Sequence, residues 1–476
     1  MKSSLNGNNH KRSIILLAVG ARADVMEELV QAGKLPEISR WLVESGSFHK
    51  GTTVFPSTTG PAYLPFLTGV SPGTCNVPGI RWMNKAEFAK GKWLAGHRSY
   101  VGIESFMIGR DIAKPIQTIF ELVPDSYSIF NTIARGAGNR NLTRISRLWY
   151  VYYAHLTDRW SFIDEASLQN IFQAIDAKAR FMFAVFPGID EYSHLAHPHH
   201  ESTYERYAWL DRAVGKIVKK LKERGEWETT QLWVVADHGL TKTDTHFCPN
   251  EFLAKRDLPA FFYPMIHDRR GKKSATMVSG NGMAHLYFRN RDGWSRPTSR
   301  HELAEMAPKL VKDFVAEDAI DLVLCRDDKH GVDILSRRGQ GKVVLNHGHV
   351  EYQVFKGDPL GFGDIPKKLS IDDSLALSHH TDYPDALYQI ANLFRSNRTG
   401  DVVLSATPGY DLRLKYEHPE HRGSHGSLHR LHMHVPILCN TKLDQGPMRT
   451  VDVFPTVLEF LNHPIPGFVE GKSRLM

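Results

Sequence analysis

The stretch FMFAVFPGIDEYSHLAHPHHESTYERYAWLDRAVGKIVKKLKERGEWETTQLWVVADHG, residues 181–239, decides the fold of this 476-residue chain. It begins with a short apolar run at 181–186 and ends with another at 232–236, each typical of a buried parallel strand. Strand, helix and strand in this order predict an α/β protein with a doubly wound parallel sheet. The helix is predicted because Gly225 ends a pattern in which apolar residues recur at three and four, namely Tyr207, Leu210, Val214, Ile217, Val218 and Leu221.

Similar elements occur early and late in the chain. SIILLAV at 13–19 is interpreted as another buried strand, and VPIL at 435–438 and the apolar pattern at 450–461 add core elements. Two stretches rich in Gly, Pro and charge, roughly 85–165 and 250–400, are interpreted as insertions that cover one edge of the sheet. We therefore predict a polar tail over 1–12, one main domain over 13–476 and an inserted cap subdomain over 251–400.

Composition and charge restrict the class of partner. The chain has 59 Lys and Arg against 52 Asp and Glu, a formal net charge of +7 and a pI near 9.0, without a long basic block. The sequence contains no zinc-finger spacing, no basic helix with interleaved aromatic residues and no internal repeat, so we expect no binding to nucleic acid. The modest positive charge indicates small anionic ligands. Four widely separated cysteines indicate neither a disulfide framework nor a thiolate metal site. The apolar runs at 14–19 and 148–156 are too short to span a bilayer, so we expect a cytoplasmic protein without signal peptide or transmembrane helix.

Two pairs of residues are candidates for metal ligands. Asp237 and His238 directly follow a predicted strand. Binding sites of open α/β sheets lie at the carboxyl ends of the strands, so this position favours a metal ligand pair. The alternative is a capping Asp beside a surface His. Asp190 and His194 are four apart, so they share one face of a helical turn and can hold one ion.

A third set of candidates lies in HRGSHGSLHRLHMHVPIL, residues 421–438. His425 is the preferred ligand, because the neighbouring Gly423 and Gly426 indicate a tight loop, and His429 is the second choice. The remaining histidines are interpreted as surface or supporting residues: His421, His432 and His434. Nitrogen and carboxylate ligands without thiolates predict zinc or manganese, and several of them at strand ends predict a two-metal hydrolytic site.

A candidate nucleophile lies in VFPSTTG at 54–60, which places Ser57, Thr58 and Thr59 just ahead of a Gly-Pro step. A hydroxyl bound to a metal loses its proton more readily and attacks phosphorus at neutral pH. The residues alone leave open which hydroxyl acts, or whether the stretch is only a turn.

Four segments in a fixed order carry a family resemblance. FPSTTGPAYLPFLTG, GIDEYSH, VVADHG and RGSHGSLH resemble the type I phosphodiesterase and nucleotide pyrophosphatase family of the alkaline phosphatase superfamily, and the tail at 449–473 is similar to that family's ending. The resemblance implies an alkaline-phosphatase-like three-layer α/β/α sandwich with a mostly parallel central sheet and inserted cap segments. It also implies a hydrolase of phosphoesters, above all of phosphodiesters, that passes through a phospho-threonine intermediate.

The resemblance also implies a role for each matching residue. Thr59 is the nucleophile, and the backbone N–H of Gly60 helps to hold the phosphoryl oxygens of a small phosphorylated substrate. Two zinc ions are implied, one held by Asp190, His194 and His425, the other by Asp237, His238 and the oxygen of Thr59.

The chain departs from the family pattern at two places. The family's first strand ends in Asp-Gly, and that Asp is a metal ligand, whereas here Val19 runs directly into Gly20 and Asp24 is not expected to replace it. The second zinc then keeps three ligands, one of which is the nucleophile Thr59, so this ion should bind more weakly. The alternative function is therefore a catalytically impaired relative that binds a phosphorylated ligand. A phosphate-binding Asn of the family aligns with Ile80, which counts against nucleotides more than against phosphoester chemistry.

An aromatic run near the middle of the first insertion has two interpretations. Trp and Tyr clusters occur at membrane interfaces, so one interpretation is peripheral membrane contact. The other, which we favour, is a buried insertion element. The residues concerned are Trp149, Tyr150, Tyr152 and Tyr153, flanked by Arg144, Arg147 and Arg159.

Overall fold

The computed structural model describes residues 11–143, 146–328, 331–413, 415 and 420–476. Its central sheet has seven strands, and Arg12–Ala18 in the middle pairs in parallel with Phe181–Phe186 on one side and Thr230–Val235 on the other. His434–Cys439 runs antiparallel to both of its neighbours. The prediction of an α/β protein with a mostly parallel sheet is confirmed. In spatial order the strands are Ser47–Thr52, His434–Cys439, Thr230–Val235, Arg12–Ala18, Phe181–Phe186, Ser126–Ile129 and Asn141–Leu142.

Helical segments cover both faces of the central sheet. The ring of Phe183 lies 6.0 Å from that of Tyr63 and 6.4 Å from that of Phe66. Phe186 points to the opposite face, because side chains alternate along a strand, and its ring lies 5.6 Å from that of Trp209. The expected three-layer α/β/α sandwich is confirmed. The longer helices are Ala23–Gln31, Ser146–Thr157, Ser161–Asp176, Gly188–Leu195, Glu201–Glu223, Ile371–Ser378, Ala386–Leu393 and Val453–Phe460.

The helix predicted between the two strands of the deciding stretch spans Glu201–Glu223. Gly225 follows it with φ +68°, a left-handed conformation that suits glycine at a helix end. Its buried face contains every apolar residue of the predicted pattern, namely Tyr207, Leu210, Val214, Ile217, Val218 and Leu221.

A second, mostly antiparallel sheet of nine strands lies beside the central one. Most of its strands fall within 251–400, but the fourth, Val402–Ala406, comes from beyond that range. The division into a main domain and a cap subdomain stays a prediction. In spatial order the strands are Ala260–Phe262, Ser274–Ser279, Met283–Phe288, Val402–Ala406, Ile320–Arg326, Val332–Ser336, Gly339–Asn346, His349–Gly357 and Lys368–Ser370.

Short elements connect the two large sheets. Two-stranded sheets pair Arg81–Met83 with His97–Ser99, Thr241–Lys242 with Gly423–Ser424, and Thr245–His246 with Tyr410–Asp411. The shorter α-helices are Pro36–Ile38, Leu64–Thr68, Pro72–Cys75, Lys85–Ala89, Trp93–Gly96, Ile108–Asp111, Ile119–Leu122, Pro249–Ala254, Arg300–Met306, Leu310–Ala316 and Arg430–Met433.

The aromatic run lies on the helix Ser146–Thr157, and its outward face is exposed. Trp149 is 73% exposed, Tyr152 62% and Leu156 68%. The favoured interpretation of a buried insertion element is therefore wrong for these side chains. Arg144 lies outside the described residues. Within the described ranges, every helix is too short or too polar to cross a bilayer.

A buried ion pair anchors the segment at 54–60, which we call the nucleophile loop. Arg449 donates from Nε and Nη2 to the carboxylate of Asp385 over 2.7 and 2.6 Å. Gln389 donates to the same carboxylate over 2.8 Å and accepts the backbone N–H of Phe55 over 3.0 Å. Gln389 therefore connects the start of the loop to the buried ion pair of Arg449 and Asp385.

Replacing Arg449 with Met should destabilise the protein strongly, because the Asp385 carboxylate would remain buried without its cation. We expect the free energy of unfolding, measured by urea denaturation, to fall by about 3–5 kcal/mol. Arg430→Met is the matched control, because Arg430 forms a solvent-exposed pair with Asp382. It should change stability by no more than about 0.5 kcal/mol. Equal losses in the two variants would contradict the anchoring role.

Candidate metal centre and nucleophile

Three adjacent strands of the central sheet end at the same edge. Arg12–Ala18, Phe181–Phe186 and Thr230–Val235 are parallel, so the segments that follow them meet. These segments carry Gly20, Asp190 with His194, and Asp237 with His238. Asp190 and His194 lie on the helix Gly188–Leu195, whose turn brings them to one side as the spacing predicted.

Asp190, His194 and His425 form the first cluster. One ligand atom from each residue lies within 4.8 Å of the others, and all three side chains are buried. His194 donates from Nδ1 to the carbonyl oxygen of Gly423 over 2.7 Å, and His425 donates from Nδ1 to that of Ser57 over 3.0 Å. A carbonyl oxygen only accepts, so Nδ1 carries the proton in each ring and Nε2 keeps its lone pair in the neutral form. This is the arrangement that metal-binding histidines use.

Thr59, Asp237 and His238 form the second cluster. Nε2 of His238 lies 3.1 Å from Oγ1 of Thr59 and 3.2 Å from Oδ2 of Asp237. Asp237 and His238 are completely buried. The ring of His238 stacks on that of His425 with centroids 3.7 Å apart, so the two clusters are direct neighbours.

The buried carboxylates of both clusters favour the binding of a cation. Oδ1 of Asp190 and Oδ2 of Asp237 are buried and accept no hydrogen bond from the described residues. Burial opposes the charged imidazole of His194, but the Asp190 carboxylate outweighs it and raises the pKa of His194 to about 9. Burial, followed by the charge of His238, lowers the pKa of His425 well below its ordinary value. Two buried carboxylates with nitrogen donors beside them fit a divalent cation such as zinc.

Gly20 directly follows Val19, at the point where the family resemblance leads us to expect an Asp before the glycine. Its backbone N–H donates to Oδ1 of Asp237 over 3.1 Å. Its φ is +73°, and a Cβ there would lie 2.6 Å from Oδ1 of Asp190, so a side chain does not fit between the two carboxylates. Asp24 is engaged elsewhere, in an ion pair of 2.5 Å with Arg22. The second cluster therefore has a smaller donor set than the family pattern.

The three hydroxyls of the nucleophile loop have different surroundings. Ser57 donates to the carbonyl oxygen of Ser427 over 2.8 Å, and Oγ1 of Thr58 is buried without a hydrogen-bond partner among the described residues. Thr59 alone among the three contacts His238. Gly60 follows with φ +90°, and a Cβ there would approach only Cδ1 of Ile108, at 3.4 Å.

Three further histidines of the third candidate set have contacts outside the ligand triad of the first cluster. His429, the second choice as a ligand, accepts the N–H of Leu431 at the start of a short helix. His421 stacks on His194 with ring centroids 4.2 Å apart. His432 is buried and lies 2.8 Å from the hydroxyl of Ser427, two residues after His425.

Glu191 also belongs to the surroundings of the first cluster. Burial, reinforced by the neighbouring Asp190 carboxylate, raises the pKa of Glu191 to about 8. The buried Tyr63 and the half-buried Arg147 interact with it electrostatically. Glu191 is the residue next to Asp190, and Arg147 of the helix Ser146–Thr157 lowers its pKa, against the effects of burial and of Asp190.

Comparisons with known proteins bear on this geometry. The family model for type I phosphodiesterase / nucleotide pyrophosphatase matches residues 13–428. No curated protein matches the chain in sequence. Phosphonoacetate hydrolase from Sinorhizobium meliloti 1021, in complex with phosphonoformate, is similar in structure with a TM-score of 0.58 and 14% identity, over 95% of this chain and 96% of that chain. Murine ectonucleotide pyrophosphatase / phosphodiesterase 5 has a TM-score of 0.58 and 13% identity over 96% of each chain. An inactive variant of the murine protein in complex with AMP has a TM-score of 0.58 and 12% identity over 96% of each chain.

Proposed function

Because the chain belongs to the type I phosphodiesterase/nucleotide pyrophosphatase family, we propose that it is a metal-dependent phosphodiesterase with Thr59 as its nucleophile. The observation that carries the proposal is the 3.1 Å contact between Oγ1 of Thr59 and Nε2 of His238, beside two buried carboxylates. The first metal would be held by Asp190, His194 and His425, and the second by Thr59, Asp237 and His238. Nitrogen and carboxylate donors favour zinc, with manganese as the alternative.

The proposed reaction proceeds in two displacements. Bound metal supplies positive charge that favours the deprotonated Thr59 and stabilises the phosphoryl oxygens. The Thr59 oxygen attacks phosphorus in line, and the bond from phosphorus to the leaving alcohol breaks as phospho-threonine forms. The Gly60 N–H donates to a phosphoryl oxygen. Water then attacks phosphorus, the bond to Thr59 breaks, the hydroxyl is regenerated and a phosphomonoester leaves.

Small phosphorylated molecules are the proposed substrates. The related folds were solved with phosphonoformate in the phosphonoacetate hydrolase and with AMP in the murine protein. Ile80 stands where the family uses Asn for phosphate, and its backbone N–H donates to Ser279 over 2.7 Å. An apolar side chain at this place favours phosphodiesters or phosphonates other than nucleotides.

A catalytically impaired relative that binds a phosphorylated ligand is the alternative function. The direct step from Val19 to Gly20 supports it, since the family's metal-binding Asp is missing there and the second cluster keeps the proposed nucleophile as one of its three donors. A weakly held second metal lowers the fraction of protein in which Thr59 is activated.

Peripheral membrane contact is a second candidate function, favoured by the exposed aromatic face of the helix Ser146–Thr157. Trp and Tyr side chains prefer the membrane interface, and the net charge of +7 suits anionic lipid. Arg147 of the same helix is half-buried and interacts electrostatically with Glu191, the neighbour of Asp190. This interaction links the helix electrostatically to the surroundings of the first cluster.

Thr59→Ala should abolish turnover, because no neighbouring hydroxyl contacts His238. With zinc present, the release of nitrophenol from bis(4-nitrophenyl) phosphate should fall at least about 1,000-fold. Thr58→Val is the control, since it removes a hydroxyl without a partner and keeps the shape of the side chain. It should retain activity within about threefold. Turnover by Thr59→Ala comparable to the wild type would refute the assigned nucleophile.

Inserting Asp between Val19 and Gly20 distinguishes an active enzyme from an impaired one. The added carboxylate should complete the second cluster, so zinc retained after dialysis should rise from about one to two ions per chain, measured by elemental analysis. Turnover of bis(4-nitrophenyl) phosphate should rise at least about tenfold. Inserting Asn at the same place controls for the longer loop. Two tightly held ions in the unaltered protein would contradict a weak second cluster.

Removing the exposed aromatic face should abolish vesicle binding if that face meets a membrane. The double change Trp149→Ala with Tyr152→Ala should lower the fraction that sediments with phosphatidylcholine–phosphatidylserine vesicles at least about fivefold. Phe355→Ala is the control, because Phe355 is equally an exposed aromatic residue but lies on the second sheet. Wild-type protein that stays in the supernatant would eliminate this candidate function.

A further inference from the structure

A short turn of the second sheet, residues 280–282, lies directly against His425. It joins the antiparallel strands Ser274–Ser279 and Met283–Phe288. The first two residues of the turn have φ values of +63° and +62°, so the chain reverses its direction tightly. We call residues 280–282 the contact turn.

Hydrogen bonds join the contact turn to the backbone of His425 on both sides of that residue. The N–H of His425 donates to the carbonyl oxygen of Gly280 over 3.1 Å, and the N–H of Gly282 donates to the carbonyl oxygen of His425 over 2.7 Å. Asn281 between them forms a parallel β-bridge with His425. Both polar backbone groups of His425 are therefore bonded to the turn, so a shift of this backbone breaks at least one of these bonds.

The contact turn is itself anchored in the second sheet. The N–H of Leu412 donates to the carbonyl oxygen of Asn281, and the N–H of Ala406 donates to that of Gly282, each over 2.8 Å. Ala406 is the last residue of a strand that pairs with an antiparallel neighbour on each side. The position of His425 thus depends on a strand in the interior of the second sheet.

Glycine is required where the turn meets His425, because the two backbones approach too closely for a side chain. A Cβ at Gly280 would lie 2.7 Å from Nδ1 of His425 and 2.8 Å from Oγ1 of Thr58. A Cβ at Gly282 would lie 2.6 Å from the carbonyl oxygen of His425. On the other side of the contact, a Cβ at Gly426 would lie 2.5 Å from a carbonyl oxygen of the strand that precedes the turn. A side chain at any of these three positions would push the turn and His425 apart.

The ring of His425 is enclosed by the same contacts. It stacks on the ring of His238 at an interplanar angle of 9°, and its Nδ1 donates to the carbonyl oxygen of Ser57 over 3.0 Å. The turn fills the space beside Nδ1 and Cε1, where an added Cβ at Gly280 would overlap the ring. These contacts hold the ring in the orientation in which a ligand atom of His425 lies within 4.8 Å of those of the other two members of the first cluster.

We propose that the contact turn positions His425 and thereby sets the affinity of the first cluster for its metal ion. Metal ligands must be held within about 0.5 Å of their productive geometry. Changes to groups that orient a ligand lower metal affinity by about 10- to 100-fold. The inference rests on the proposed metal-dependent function, in which His425 is a ligand, and adds the element of the second sheet that controls how tightly the first metal is held.

Zinc affinity tests the positioning role. Gly280→Ala and Gly282→Ala should each raise the Kd of the tightly held zinc ion at least about tenfold, measured by competition with a chromophoric chelator. Gly348→Ala is the matched control, because Gly348 lies in another hairpin turn of the same sheet with φ +76°, and no described atom except its chain neighbours lies within 4 Å of an added Cβ. It should leave the Kd within about twofold. Asp190→Ala should abolish tight binding, which identifies the measured site as the first cluster.

Folding is measured in parallel, because Gly280→Ala also places a side chain at a positive φ. Gly282 has no positive φ, so Gly282→Ala tests the contact with His425 without that strain. Cooperative urea unfolding identifies the variants that are folded. Folded Gly280→Ala and Gly282→Ala proteins that both keep the wild-type Kd for zinc would overturn the proposal.

Hydrogen–deuterium exchange of the wild-type protein tests the same link without a substitution. Coupling between two sites is reciprocal, so zinc bound at the first cluster should stabilise the contact turn. Exchange of the Gly282 amide, which donates to His425, should slow at least about fivefold when zinc is added. Exchange in the turn that contains Gly348 should stay the same. An equal rate for the Gly282 amide with and without zinc would contradict the positioning role.

These measurements do not depend on turnover, so they separate the inference from the proposed function. A wild-type protein whose zinc affinity depends on the contact turn, but which does not hydrolyse bis(4-nitrophenyl) phosphate, would keep the inference and remove the phosphodiesterase function. Zinc-dependent hydrolysis by a protein whose zinc affinity is the same in both glycine variants would do the reverse.

Discussion

Two buried carboxylates at adjacent strand ends are the constraint on which the rest of the structure depends. Asp190 and Asp237 have oxygens that accept no hydrogen bond within the described part of the chain. In a low-dielectric interior such charges repel one another, and burying them costs several kcal/mol per ion, so the arrangement is stable only with cations beside them. His194 supplies part of that charge, and a divalent ion in each cluster would supply the rest.

The same constraint explains why the candidate nucleophile is held from two directions. Nε2 of His238 lies 3.1 Å from the oxygen of Thr59, on the side of the second cluster. From the other side, Gln389 fixes the backbone at Phe55 and is itself held by the ion pair of Asp385 and Arg449. A buried ion pair contributes little net stability compared with an apolar replacement, but it fixes geometry. Its role here is to hold the loop in register with the strand ends.

Periodicity and spacing in the sequence predicted those helices and strands that depend on residues close together in the chain. The helix Glu201–Glu223 and the strands before and after it follow from periodicity, and the spacing of Asp190 and His194 placed both on one turn. The position of the strand Val402–Ala406 inside the second sheet could not be predicted from the sequence, because it depends on pairing with residues distant in the chain. The exposed Trp149 was also misjudged, since an aromatic run is equally compatible with a core and with a surface.

The two clusters are unequal, and the inequality follows from one missing side chain. The first cluster uses three residues that take no part in bond making, so its donor set stays constant through the proposed reaction. In the proposed reaction, the oxygen of Thr59 in the second cluster forms a bond to phosphorus that water later breaks, while Gly20 leaves the space beside Asp237 to a backbone N–H. That N–H donates to the carboxylate and therefore withdraws electron density that a metal would otherwise use. In the proposed reaction, metal affinity at the second cluster would thus depend on whether the oxygen of Thr59 is free or bonded to phosphorus.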